Sequence, residues 1–318
     1  PVDTYIGGIE HATMHLIYFR FFAKVLNEMG LISFDEPVKH LFTQGMVCKT
    51  AHYCKKDKWV KEDQVDQGKC RICGGEVLSE MTKMSKTKLN VVDPTRIIDQ
   101  YGADVMRMYI LSDTPPDRDQ EWSEEGVQGI SRFINRLWDT VVGVIEEDEG
   151  SDPDKKAESE LRKAAHEALR DSLESYENDW QFNVIIARVM KLVNTLRKLG
   201  KRASRDVKLE CVEIMATILA PVTPHLSEEI NEMLGNMESV FDSGIKEVDE
   251  SALKSDTVTV VVQVNGKLRD KFDVSPDASK QEIERGALDL EKVKKYTLGK
   301  EIKKVIVVPG KLVNIVCV

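Results

Sequence analysis

Apolar positions along this chain recur first at mixed spacing, then at the three- and four-residue spacing of helices, and last in strict alternation. The opening PVDTYIGG predicts a strand over residues 3–6 that runs into a turn at Gly7-Gly8. A single strand cannot bury its own faces, so the sheet it needs is expected from a longer chain or from another polypeptide. Residues 10–29 then read as a helix, with His11, His15, Tyr18 and Phe22 on one face and Gly30 as the stop.

Helical spacing dominates the middle of the chain. Asp93-Pro94 supplies a capping side chain followed by a proline at the first helical position, and predicts a short helix ending near Tyr101-Gly102. A second helix carries Val105, Met108 and Tyr109, and Pro115-Pro116 breaks the chain after it. Val127, Ile130, Ile134, Leu137, Trp138, Val141 and Ile145 trace one face of a long helix, and the acidic EEDEGSDPDKK after it reads as an exposed loop. Further helices are predicted around Leu161 to Leu173, over 184–199, over 212–219 and, restarted by Thr223-Pro224, over 224–234. Together they predict a bundle of four or five helices, in which Trp180 and Phe182 are packing residues.

Alternation takes over at the end. TVTVVVQVNGKLRDKFDV predicts a hairpin about Asn265-Gly266, a helix from Ser279 follows, and KKVIVVPGKLVNIVCV predicts two more strands about Pro309-Gly310. The fold class is therefore multi-domain. Its parts are an α/β segment over 1–112 with an insertion at 46–80, a connector at 113–126, an all-α helical bundle over 127–235, a linker at 236–256 and a small α+β domain over 257–318.

Charge changes this picture in one respect. The whole chain is formally −9, which excludes a protein that coats nucleic acid with its entire surface. Residues 257–318, however, hold twelve Lys or Arg against eight Asp or Glu, so this small domain is at +4 and the rest at −13. A basic module on an acidic body points to a polyanion such as folded RNA. No apolar run is as long as a membrane span and no secretory pattern opens the chain, so the expected location is the cytoplasm.

Two clusters carry candidate chemistry. In MTKMSKTKLN, Lys83, Lys86 and Lys88 surround Ser85 and Thr87 just ahead of a helix start, which suits a mobile phosphate clamp and equally a polar turn. Four of the six cysteines lie between Cys48 and Cys73, whereas Cys211 and Cys317 stand alone, a clustering that indicates metal rather than disulfides. Cys70-Arg71-Ile72-Cys73-Gly74-Gly75 has the spacing of a zinc knuckle; Cys48 and Cys54 form a looser first pair in which His52 can replace one member. The expected ion is structural Zn2+. Glu10, His11 and His15 lack the metalloprotease order, since Ala12 stands where the glutamate belongs, and read instead as half-buried histidines or as part of a nucleotide or substrate pocket at the strand-to-helix turn.

DTYIGGIEHATMHLIYFRFF, KMSKT with DPTRIIDQYGADVMRMYIL, LAPVTPHLSEEI, and VVVQVNGKLRDK with VIVVPGKLVNIV together resemble the C-terminal portion of bacterial-type leucyl-tRNA synthetases, a family of class I aminoacyl-tRNA synthetases. The resemblance spans nearly the whole chain. It implies that the first part is the remnant of a Rossmann-like class I catalytic domain and that the bundle is of the anticodon-binding kind. It also implies ATP with Mg2+ as substrate, leucine and tRNA(Leu) as further substrates, and activation of leucine to leucyl-adenylate before transfer to the tRNA.

Residue by residue, the resemblance makes Lys83 and Lys86 the cations that neutralise departing pyrophosphate, assisted by Ser85 and Thr87. Thr87 stands where the family usually has serine, keeping the hydroxyl and adding a methyl. Gly8, Glu10 and His11 would border the adenosine, with Glu10 on the ribose, and His15 would lie near the substrate pocket. The bundle would meet the tRNA body, and Lys267, Arg269, Lys303, Lys304 and Lys311 its elbow or long variable arm. The family's histidine-x-glycine-histidine signature and its editing domain do not occur in this sequence. The expectation is a chain that needs an N-terminal half or subunit for activity. The alternatives are a tRNA-binding module without catalysis, or a related synthetase for valine, isoleucine or methionine.

Overall fold

The structure, a computed structural model, describes residues 1–147, 153–254, 258–275, 278–308 and 310–318. The middle of the expected acidic loop, Thr257 and Pro309 lie outside the described residues.

The first unit is a strand, helix, strand crossover: β1 (Val2–Gly8), α1 (His15–Glu28) and β2 (Val38–Gln44). β1 pairs with β2 in parallel from Val2 opposite Val38 to Gly8 opposite Gln44. The opening strand thus has a partner within the chain, one the sequence reading missed because VKHLFTQ lacks clean alternation. The expected helix over 10–29 also divides: Ile9–Thr13 is a tight 3-10 turn, and the α-helix begins at His15 after an irregular Met14. Glu10 accordingly sits in the turn, not on the first turn of α1. Two strands are too few to cover a helix, and Ile17, Tyr18, Phe21 and Phe22 of α1 remain exposed alongside Ile6 and Ile9.

The insertion is a small antiparallel system. β3 (Val47–Cys54) lies between β4 (Lys58–Val60) and β7 (Val77–Lys83), with a two-residue hairpin of β5 (Val65–Asp66) and β6 (Lys69–Cys70) beside it. β8 (Gln120–Glu121) adds in parallel to the start of β3, which brings the Pro115-Pro116 segment against Gly45. A Cβ at Gly45 would overlap the Arg118 backbone, so this approach requires glycine.

Next come α2 (Pro94–Tyr101) and α3 (Ala103–Ser112), then the long helices α4 (Glu124–Ile145), α5 (Lys155–Asn178), α6 (Phe182–Leu199) and α7 (Arg205–Leu219), closed by α8 (Pro224–Met233). Asp93 caps α2 by accepting the Thr95 amide, as its place before Pro94 predicts. The apolar stripes converge on one core in which Met108, Leu137, Leu161, Leu169, Ile185, Leu192 and Met215 are fully buried. That core does not break between α3 and α4: Val105, Met108 and Tyr109 pack with the bundle residues. Trp180 is indeed a packing residue, its ring 5.0 Å from both His40 and Phe42 of β2, so it ties the bundle to the parallel pair.

A short helix, α9 (Glu250–Leu253), is docked on the bundle by His166, which is 1% exposed. Its Nδ1 accepts the Asp249 amide at 3.0 Å, leaving Nε2 to donate to Glu210, also at 3.0 Å. The last unit is a four-stranded sheet made of β9 (Val258–Val264), β10 (Lys267–Val274), β11 (Ile302–Val308) and β12 (Leu312–Cys317) in the order β10-β9-β12-β11. Asn265 and Gly266 both take the left-handed conformation that a tight hairpin turn needs. Helix α10 (Lys280–Asp289) starts at a capping box between Ser279 and Glu282, and α11 (Glu291–Thr297), absent from the sequence reading, covers the same face.

Candidate functional site

The pocket at the strand-to-helix turn is built from both strands and the turn after β1. A cavity of about 410 Å³ is lined by Tyr5, Gly8, His11 and His15, and by Leu41 and Thr43 of β2. Tyr5 and His15 share a hydrogen bond of 2.7 Å, and the His15 ring stacks on Phe19 at 5.5 Å, which fixes both side chains on one wall. The Glu10 carboxylate folds back over Gly8, where any Cβ would overlap it. A side chain at position 8 would therefore push the Glu10 carboxylate out of this position. Gly8, His11 and His15, singled out from the sequence, therefore line one cavity, with Glu10 at its edge.

The lysine-rich loop reaches that edge. Lys83, the last residue of β7, places Nζ 3.8 Å from Glu10 Oε1. Beyond it the chain turns through Ser85, Lys86 and Thr87: the Ser85 hydroxyl accepts the Thr87 amide at 3.3 Å, and the Ser85 carbonyl accepts the Lys88 amide at 3.1 Å. The Ser85 and Thr87 groups thus help to set the turn. Lys86 is exposed at its apex and forms no ion pair among the described residues, so its charge is free to meet a ligand. Asn90, 5% exposed, holds the loop from below. It accepts the Ser85 amide and donates to the Lys49 carbonyl, each at 2.8 Å. Sequence inspection offers no signal for this role, since a buried asparagine looks like any loop asparagine.

The cysteine site departs from the sequence reading in one ligand. Cys54, Asp57, Cys70 and Cys73 offer ligand atoms that all lie within 4.8 Å of one another. The Cys54 and Cys73 sulfurs are 3.5 Å apart, and Asp57 Oδ2 is 3.5 Å from Cys54 Sγ and 3.3 Å from Cys70 Sγ. Zinc–sulfur bonds of about 2.3 Å put neighbouring sulfurs of a tetrahedron about 3.8 Å apart, so the donor set fits that ion. Among the described residues its hydrophobic support is Cys54, Val60 and Cys70 with Val65, Cys73 and Val77 around them, too little to hold such a hairpin by itself.

Cys48 does not join the cluster. Five residues of extended strand separate it from Cys54, six residue steps or roughly 20 Å. His52 is also occupied elsewhere, bonded to Ser79 Oγ at 2.8 Å. Asp57 stands in Cys48's place; an acid three residues after Cys54 in the β3–β4 turn was the available signal. Its carboxylate pushes the Cys73 thiol up to about 12, while the Asp57 amide holds Cys54 below the usual thiol range.

The basic residues of the last domain are not gathered into one patch. Lys267 and Arg269 lie on the edge strand β10, Lys303 and Lys304 on the opposite edge β11, and Lys311 in the turn before β12. Three strand spacings, about 14 Å, separate the edges. Arg269 is half-buried with its guanidinium 3.7 Å from the centre of the Tyr296 ring, so it is engaged in packing, whereas the four lysines are exposed.

Known proteins match this arrangement. The anticodon-binding domain of tRNA ligase matches residues 158–284, and the class I tRNA synthetases (I, L, M and V) match residues 72–123. A leucine–tRNA ligase of Nostoc sp. is 44% identical over 99% of this chain and 37% of its own length, and one of Parvibaculum lavamentivorans is 44% identical over 99% and 38%. The chain thus spans less than two fifths of these relatives. The crystallised ternary complex of Agrobacterium radiobacter K84 agnB2 LeuRS with tRNA and LeuAMS superposes with a TM-score of 0.72 at 28% identity, over 99% of this chain and 38% of that one. Mycobacterium tuberculosis methionyl-tRNA synthetase bound by methionyl-adenylate shares the fold, with a TM-score of 0.53 at 18% identity over 80% of this chain and 46% of its own. The chain has the fold of a class I synthetase fragment: part of a catalytic domain, a helical region and a sheet-containing C-terminal domain. Along nearly its whole length it resembles the leucine–tRNA ligases. Among the described residues no helix is long and apolar enough to cross a membrane.

Proposed function

We propose that this chain acts as the C-terminal portion of a class I leucine–tRNA ligase, supplying one wall of the ATP site, the lysine loop and the tRNA-binding surfaces. The observation that carries the reading is the approach of Lys83 to Glu10, 3.8 Å, which joins the lysine loop to the edge of the cavity at Gly8, His11 and His15. ATP enters with Mg2+. The ribose hydroxyls would donate to the Glu10 carboxylate, and the triphosphate would run toward Lys83 and Lys86. When leucine's carboxylate attacks the α-phosphorus, charge grows on pyrophosphate, and cations already placed there stabilise the transition state more than the ground state. Lys86 is the freer of the two. Lys83 is shared with Glu10, so closing on the phosphates requires it to leave that carboxylate.

The proposed division follows the sequence reading: residues 1–112 with the insertion at 46–80 belong to the catalytic part, 127–235 to the helical domain and 257–318 to the basic domain. Lys267, Lys303, Lys304 and Lys311 would contact tRNA phosphates, with Arg269 setting the surface through Tyr296. A structural Zn2+ held by Cys54, Asp57, Cys70 and Cys73 would fix the insertion, and the place of action would be the cytoplasm. The remaining catalytic groups, including the second ATP signature, would come from the N-terminal portion that the relatives possess. The exposed face of α1, with Ile17, Tyr18, Phe21 and Phe22, suits burial against it.

Leucine-dependent ATP–pyrophosphate exchange tests this reading. The chain alone is expected to be inactive, and mixing with the N-terminal portion of a leucine–tRNA ligase is expected to restore exchange for leucine and not for valine, isoleucine or methionine. Exchange by the isolated chain, or a different amino-acid preference, would refute the reading.

A further inference from the structure

The cysteine hairpin and the lysine loop are two separate features of the sequence, yet one side chain joins them. The β3–β4 turn supplies two of the four candidate metal ligands, Cys54 and Asp57, and the returning strand carries Trp59 two residues later. Cross-strand register places Trp59 opposite Tyr53, with Glu80 and Thr82 of β7 on the same sheet face. Lys88, just past the apex of the lysine loop, folds back across that face. Its Nζ donates to Glu80 Oε1 at 2.8 Å and to Thr82 Oγ1 at 2.9 Å, and lies 5.0 Å from the centre of the Trp59 ring. Lys83, Lys86 and Lys88 thus have three different situations: one beside Glu10, one free, one seated.

We propose that Lys88 and Trp59 are positioning residues for Lys86, and that a metal held at Cys54, Asp57, Cys70 and Cys73 sets the loop through them. The proposal deepens the reading of the loop as the phosphate clamp and rests on it. With so small a hydrophobic cluster beneath it, the hairpin depends on the ion for its shape, and the ring of Trp59 moves with the hairpin. Seating Lys88 restrains the loop two residues from Lys86, while Asn90 restrains the other side by bonding Ser85. A cation over an indole face is worth enough to shift a local opening equilibrium about three- to tenfold. The free charge of Lys86 is then presented from a loop pinned at both flanks.

Hydrogen exchange at amides 81–90 of the full chain, with zinc content measured in parallel, tests this directly. The zinc-loaded chain is expected to protect these amides, and chelation to speed their exchange about three- to tenfold. Lys88→Met, which lies outside the hairpin, should do the same while zinc content stays constant. Trp59→Leu should lose the protection and Trp59→Tyr should restore most of it, since tyrosine keeps an aromatic face. In the reassembled enzyme Lys88→Met should lower kcat for exchange while leaving KM for ATP nearly unchanged. Loop exchange that ignores chelation, or that ignores Lys88→Met, overturns the proposal. So does a chain that binds no zinc. Protection that follows the metal while Lys86→Ala leaves the reassembled activity intact would keep the latch and remove the clamp reading, so the two fail separately.

Discussion

Asn90 holds Ser85 in place: its Oδ1 accepts the Ser85 backbone N–H at 2.8 Å, and its Nδ2 donates to the Lys49 carbonyl on β3. A single buried side chain therefore anchors the lysine loop to the sheet beneath it. Asn90→Ala leaves the Lys49 carbonyl and the Ser85 amide without this partner. The expected outcome is a loss of about 1–3 kcal/mol in unfolding free energy, together with faster proteolysis within residues 81–90. Unchanged proteolysis would show that the loop is held some other way.

The metal site predicts an asymmetric cysteine series. Purified chain should contain about one zinc; Cys54→Ser, Cys70→Ser, Cys73→Ser and Asp57→Ala should lose most of it, and Cys48→Ser should keep it all. Metal analysis of the five variants decides, and zinc lost from Cys48→Ser would restore the ligand set expected from the sequence.

In the basic domain the lysines and the arginine should part company. Affinity for tRNA should fall linearly with the logarithm of salt, and Lys303→Ala, Lys304→Ala and Lys311→Ala should each flatten that slope by up to about one unit. Arg269→Ala should instead lower the domain's melting temperature, because its guanidinium stacks on Tyr296. A slope unaffected by all three lysine changes would move the RNA surface elsewhere.

Acid sensitivity should come from the network that docks α9. The Arg162 guanidinium, 2.7 Å away, holds Glu210 below the usual carboxylate range against the opposing effect of burial, with His166 adding to the same side. A carboxylate lowered in the folded state stabilises it above the unfolded pKa, and the contribution disappears as pH falls through the folded value. Melting temperature should therefore decline below about pH 4. Glu210→Gln should be less stable at neutral pH by about 1–2 kcal/mol and show a shallower acid limb. Parallel limbs would assign the acid loss to other groups.

Much of this was legible from residue order. The stripes from Val127 to Ile145 and through Leu161, Ile185 and Met215 are strong helical periods and became the core; Asp93-Pro94, Asn265-Gly266 and Ser279 marked their elements because capping and turn chemistry is local. What was not legible depended on contacts distant in sequence. β2 is recognisable only as the partner of β1, and Asn90 only by what lies under it. Cys48 and Cys54 share a strand face, so spacing alone could not exclude Cys48; the length of the strand does.

On the proposed reading, cations of the lysine loop act on ATP in a pocket completed by another part of the enzyme. The most direct test is the rate of leucine-dependent ATP–pyrophosphate exchange by the reassembled complex with Lys86→Ala alone and with Lys83→Ala added. The expected result is a fall of about 10²–10³-fold for the first, a further fall for the second, and unchanged tRNA affinity in both. Exchange at the original rate with both charges removed would contradict it.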